Sequence, residues 1–110
     1  SFEAKEPIRL DKITTIADSL ASPMAMPYSF GVTNHYADAI VRVEDDELLQ
    51  AMATYQKILK ITAEPACAAS LAALTGPLKE KAAGRNVGII ACGSNISMER
   101  YQTLLAETRK

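Results

Sequence analysis

Tryptophan is absent from these 110 residues, histidine occurs once, cysteine twice and glycine five times. Each scarcity excludes something. One His and two Cys, at 67 and 92, fall short of a zinc set, which needs about four ligands at close spacing. His35, between Asn34 and Tyr36, supports no Ser-His-Asp arrangement by itself and reads as a surface histidine on a short helix. The scattered glycines form neither a GxGxxG run nor a P-loop. No apolar run approaches the ~20 residues that span a membrane. No basic segment leading into an apolar one marks a secretory signal at the start. A net charge of −1 with dispersed basic residues leaves no footprint for nucleic acid. Cysteines this few, in apolar settings, suit a reducing, cytoplasmic home, with a Cys67–Cys92 disulfide left open on paper.

Hydrophobic residues make up 48% of the chain and aromatics only 5%, so its core must be built from Ala, Ile, Leu, Val and Met. The length allows one core and one domain. Residues 1–110 are therefore taken as a single, partial domain, with residues 1–12 irregular because they mix charges without a period. The first residue is Ser, not Met, which hints at a processed or partial chain.

Residues 15–21 suggest a short helix stopped before Pro23, since the residue preceding proline disfavours helical geometry. Another short helix is expected over residues 28–37, then a strand over residues 39–43 (AIVRV). Glu44, Asp45, Asp46 and Glu47 next place four acids where a helix dipole favours them, and Asp45 is a candidate cap. Leu48, Met52, Tyr55 and Leu59 recur at helical spacing, with Leu49 and Ile58 widening the stripe. Thr62 or Glu64 caps a second long helical region, with Pro65 in its first turn and a run of alanines that keeps it slim. Gly76 and Pro77 interrupt that region and Gly84 ends it. Ser97 or Asn95 caps a last helix whose Met98, Tyr101 and Leu105 face inward.

The stretch NVGIIACGSNIS, residues 86–97, carries the chemistry. Its apolar run reads as a buried parallel strand over residues 86–91 that ends in a turn at Cys92 and Gly93. Ligands in open α/β sheets sit outside the carboxyl ends of such strands. The expected fold is thus α/β: a partial open sheet of two strands, residues 39–43 and 86–91, covered by helices. Two strands make a poor sheet, so this looks like part of a larger one. At Cys92 two readings stand level, a small core hydrophobe and a functional thiol. At Glu64, spacing favours a plain cap over a functional carboxylate.

Taken in order, four segments resemble the serine/threonine dehydratase family of fold-type II pyridoxal-phosphate enzymes. Thr15-Ile16-Ala17-Asp18 is similar to its TIADG segment, and residues 38–48 to its DDIVTVSEDEI region. Glu64-Pro65-Ala66 with the following alanines is similar to its EPAGAAALAA helix, and Cys92-Gly93-Ser94-Asn95 to its SGGN or CGSN turn. The resemblance implies pyridoxal phosphate as cofactor. It puts Cys92 at the pyridine nitrogen, Gly93 in the same turn, Glu64 beside the ring, and Ala17 and Asp18 on the substrate side. Ser19 and Cys67 depart from the family, standing where it has, or often has, Gly. The family's Schiff-base lysine motif, substrate-carboxylate loop and glycine-rich phosphate cup have no match in the chain.

The resemblance therefore implies the C-terminal third of a lyase that turns serine, threonine or a related hydroxy amino acid into a 2-oxo acid and ammonia, inactive in isolation. Its partners would be the lysine-bearing N-terminal part, or a second chain carrying it, and further copies in a homo-oligomer. No metal ligand set transfers. Whether such a chain counts as an enzyme is left open. A different class of function also stands: a non-catalytic α/β module that binds a small molecule or oligomerises.

Overall fold

The computed structural model describes residues 1–108. A single 3₁₀ turn, Asp18–Leu20, precedes five α-helices: α1 Pro27–Tyr36, α2 Asp45–Thr54, α3 Pro65–Thr75, α4 Lys79–Ala82 and α5 Met98–Glu107. The core lies where α2, α3 and α5 meet. Leu48, Leu49, Ala51 and Met52 of α2 bury against Ala68 and Ala72 of α3 and Tyr101 and Leu104 of α5. Alanines at 68 and 72 let the α3 backbone approach α2 closely, which the slim composition of that helix invites.

The start of α2 is closed by its own side chains. Glu44 and Glu47 form a reciprocal capping box, with the Glu44 N–H donating to Glu47 Oε2 at 2.7 Å. Asp45, the cap candidate, is thereby free for another task. At the other end α2 widens into one π turn, Tyr55–Leu59, and stops at Lys60 in the left-handed region, φ 58°. Widening a turn rotates the residues beyond it around the axis. Tyr55 is therefore still buried, whereas Ile58 and Leu59, expected to continue the stripe, face solvent.

Pro65 opens α3 at its first position, with Glu64 in the N-cap place. Gly76 ends it at a spot where a Cβ would stand 2.6 Å from Glu47 Oε1 and 3.0 Å from the Ala72 carbonyl oxygen, so a larger residue would push the Glu47 carboxylate aside. Ser97 caps α5 by accepting a hydrogen bond from the Arg100 N–H at 3.2 Å. Of the three residues expected inward on α5, Tyr101 is buried and Leu105 half-buried, but Met98 is exposed and Leu104 takes its place in the core.

The sheet expected from the sequence is not present. No strand occurs among the described residues: 39–43 and 86–91 are extended segments without a ladder partner. Residues such as Ile40, Val41, Val87, Ile89 and Ile90 are exposed. An apolar β-branched run identifies a segment suited to sheet burial, but a strand also needs strand neighbours on its edges, and among the described residues neither segment has one. The surface reflects the same deficit: 8253 Å² is accessible, against about 5,900 Å² for a compact monomer of this mass. The radius of gyration is 15.0 Å, against about 13 Å for a compact domain of this length. The molecule is a helical slab that leaves many apolar residues uncovered.

Candidate functional site

Residues 90–93 run along one face of α3 and are fastened to it at both ends. The Glu64 N–H donates to the Gly93 carbonyl oxygen at 3.2 Å, and Ser70 Oγ donates to the Ile90 carbonyl oxygen at 2.8 Å. Although Glu64 occupies the N-cap position of α3, its side chain caps nothing. The carboxylate turns outward instead. Ser19 Oγ donates to Oε2 at 3.4 Å, and Oε1 lies over the Cα of Gly93. A Cβ on Gly93 would collide with Oε1 and stand 3.1 Å from Cδ, and the residue's φ of 120° is itself glycine territory. The backbone at Gly93 thus favours glycine, and any side chain there would displace the Glu64 carboxylate above it.

The two cysteines take opposite settings. Cys92 is exposed at the end of the extended segment, and Cys67 is buried on α3; both are free thiols. Burial pushes the Cys67 thiol above its ordinary range, the neighbouring Cys92 and Glu64 push the same way, and the Cys92 main chain partly opposes them.

The segment carrying Ala17 and Asp18 is strapped down from two helices. Asp45 at the start of α2 accepts from Thr15 Oγ1 at 2.7 Å and from the Ile16 N–H at 3.2 Å. Arg100 at the start of α5 donates to the Ile16 carbonyl oxygen at 3.3 Å and pairs with Asp18 Oδ2 at 3.4 Å. Ala17 is buried in the core, so its role is to hold the loop, and only Asp18 presents a functional group outward.

Of the residues singled out from the sequence, Asp18 and Glu64 line one small open cleft together with Asn95, Ser97 and Arg100, and Gly93 lies directly beneath the Glu64 carboxylate. Cys92 adjoins Gly93 but does not line that cleft. The sequence singles out Asp45 only as a helix cap and assigns nothing to Arg100. A basic residue in the first turn of a helix opposes the dipole, and that mismatch was the available signal for Arg100. Asp45 had been absorbed into the acidic helix start.

The cleft holds about 110 Å³, where a pocket enclosing a small ligand has roughly 300–1,000 Å³. It is a wall and not an enclosure. Among the described residues there is no group of three His, Cys, Asp or Glu able to hold a metal, and no helix is long and apolar enough to cross a membrane.

Residues 1–93 match the sequence profile of the family described as Pyridoxal-phosphate dependent enzyme, which is most of the chain. The chain belongs to that family, whose cofactor is pyridoxal phosphate. It is 43% identical over 95 residues to the phenylserine dehydratase of Ralstonia pickettii, an alignment covering 86% of this chain and 29% of the relative. It is 33% identical to the serine racemase of Schizosaccharomyces pombe, covering 97% of this chain and 33% of the relative. The structure superposes on maize serine racemase with a TM-score of 0.82 and 29% identity, over 97% of this chain and 35% of that one. The chain thus spans about a third of the length of the relatives it matches.

The donor set can be compared with that cofactor directly. A pyridine nitrogen is met by an exposed hydrogen-bonding group, and the Cys92 thiol is one. A phosphate wants free cations or a nest of N–H groups, and the guanidinium in the cleft is already paired with Asp18. These residues fit the ring edge of pyridoxal phosphate and not its phosphate end.

Proposed function

We propose that this chain is the C-terminal part of a pyridoxal-phosphate-dependent lyase that removes water and ammonia from serine, threonine or a related hydroxy amino acid. In the whole enzyme, Cys92, Gly93 and Glu64 form the wall at the cofactor ring, and Asp18, held by Ala17 behind it, borders the substrate. The single observation that carries the reading is the turn at Gly93, with the Glu64 carboxylate on its Cα and the exposed Cys92 beside it. That turn lies in a chain 43% identical to a phenylserine dehydratase.

When bound, the cofactor withdraws electrons from the amino acid's Cα, so that loss of the Cα proton is coupled to departure of the β-hydroxyl. Cys92 offers the ring nitrogen a neutral thiol. A thiol does not hold that nitrogen protonated as a carboxylate would, which moderates the electron withdrawal and suits elimination. Glu64, kept off the α3 terminus and braced by Ser19, supplies a fixed negative charge beside the ring. Arg100 holds Asp18 in place and neutralises part of its charge, leaving a carboxylate edge turned to the substrate side.

The lysine-bearing part, about two thirds of the relatives' length, supplies the covalent anchor and the phosphate cup and covers the apolar segments 39–43 and 86–91. The isolated chain does not turn over. The test joins this chain behind the N-terminal two thirds of the R. pickettii relative. Pyridoxal phosphate loading is followed by absorbance, and oxo-acid release from L-serine, L-threonine and 3-phenylserine is assayed. The chimera should load and turn over at least one of them, and the chain alone none. Turnover by the chain alone refutes the need for the missing part, and a loaded chimera that releases no oxo acid refutes the lyase.

A further inference from the structure

Glu64, Cys67 and Ser70 stand three residues apart on α3 and so share one face of the helix. The two flanking residues hold the extended segment, Glu64 to Gly93 and Ser70 to Ile90. The spans agree: six helical residues rise about 9 Å, and three extended residues advance about 10 Å. The two runs are therefore antiparallel and in step, and Cys67, midway along the helix stretch, falls opposite the junction of Ala91 and Cys92. The Cys92 main chain is among the groups that bear on the Cys67 thiol, as this register requires.

We propose that Cys67 and Cys92 form a redox-active dithiol, in which Cys92 is oxidised first by a peroxide and Cys67 resolves it into a reversible disulfide. The division of labour follows from exposure. In this chain by itself peroxide reaches the exposed Cys92, whereas Cys67 is covered by the helix packing. In the first step the Cys92 thiolate attacks the peroxide, an S–O bond forms, the O–O bond breaks, and hydroxide leaves. In the second, the Cys67 sulfur attacks the Cys92 sulfur, the S–S bond forms, and the S–O bond breaks with loss of water. Two thiols supply two electrons and the peroxide accepts them. Burial raises the Cys67 thiol's pKa, which disfavours its own direct reaction with peroxide. On the reading of Cys92 given under Proposed function, the disulfide withdraws the thiol from the cofactor ring; the dithiol itself does not depend on that reading.

The experiment follows thiols and not turnover, so it stands apart from the lyase proposal. The full chain is treated with hydrogen peroxide, alkylated after unfolding, and weighed intact with and without prior reduction by dithiothreitol. The expected product is monomeric, lighter by two hydrogen atoms, closed to alkylation at both positions and fully reopened by the reductant. Cys67→Ser should arrest at a Cys92 sulfenic acid that dimedone traps. The same reaction on chain held in denaturing urea should form the disulfide at least tenfold more slowly, because the register is lost. Dimedone-reactive Cys92 beside an alkylatable Cys67 in the wild-type chain overturns the proposal. So does a disulfide between two copies, or an equal rate in urea.

Discussion

The helical cluster and the extended segment over residues 86–91 are similarly apolar and end in opposite surroundings. Met52 is fully buried at 0% exposure, whereas Ile90 is 80% exposed. A helix satisfies its own backbone, so α2, α3 and α5 need only side-chain partners, and α3 and α5 both find them on α2. An extended segment leaves its N–H and C=O groups to be matched by others. Residues 86–91 obtain one such match, from Ser70 Oγ. Apolar composition alone does not decide burial; what the backbone still lacks decides whether burial can be completed within the chain.

The largest test of that contrast is a pair of truncations. Met52→Ala removes a side chain enclosed on all sides and should cost about 2–5 kcal/mol. Ile90→Ala, for all its equal hydrophobicity, should change stability by no more than about 0.5 kcal/mol. Urea unfolding followed by circular dichroism measures both. Equal losses would mean that residues 86–91 are packed in solution, and the contrast would collapse.

A smaller effect probes how the site loop is joined to the buried region. Asp45 is half-buried and accepts from both Thr15 and Ile16. Asp45→Ala should cost about 1.5–3 kcal/mol, the range for hydrogen bonds to a charged group, and Asp45→Asn should cost less. The accompanying signature is local: the Ile16 amide should exchange its hydrogen faster while amides in the middle of α3 do not change. Unaltered exchange at Ile16 would show that something other than Asp45 holds the loop.

Those results bear on what a sequence can disclose. The helices were legible because their signals are local: Pro65 opens α3, Ser97 caps α5, and the spacing of Leu48, Met52 and Tyr55 marks one face of α2. The four ordered motifs were legible too, and they led to the pyridoxal-phosphate family. The two-strand sheet was misread because strand pairing is not local: residues 39–43 and 86–91 have strand composition, and no neighbour to pair with. The last turn of α2 was misread because nothing in its residues announces a π widening, which swings Ile58 and Leu59 out. At the site, Glu64 looked like an ordinary cap, and only its side-chain direction separates it from one. Asp45 and Arg100 act on residues 29 and 84 positions away, beyond the reach of any periodicity.

The smallest effect concerns pH and lies inside the buried cluster. Tyr101 is buried on α5, its hydroxyl donates to Gln56 Oε1 at 3.3 Å, and burial raises its pKa above the ordinary value. A phenol that ionises later in the folded state than in the unfolded one contributes stability that is fully present below the unfolded pKa. That contribution is lost as pH climbs through the folded pKa, because the unfolded chain then sheds its proton first. Near neutral pH, Tyr101→Phe should cost only about 0.5–1.5 kcal/mol, the net worth of one hydrogen bond. From about pH 10 upward, the wild-type advantage should shrink. Unfolding midpoints of the two proteins across that range isolate Tyr101, since the other tyrosines and lysines titrate alike in both. A constant difference at every pH would mean that the hydroxyl is solvated in solution and that the α5 side of the core is looser than the buried cluster implies.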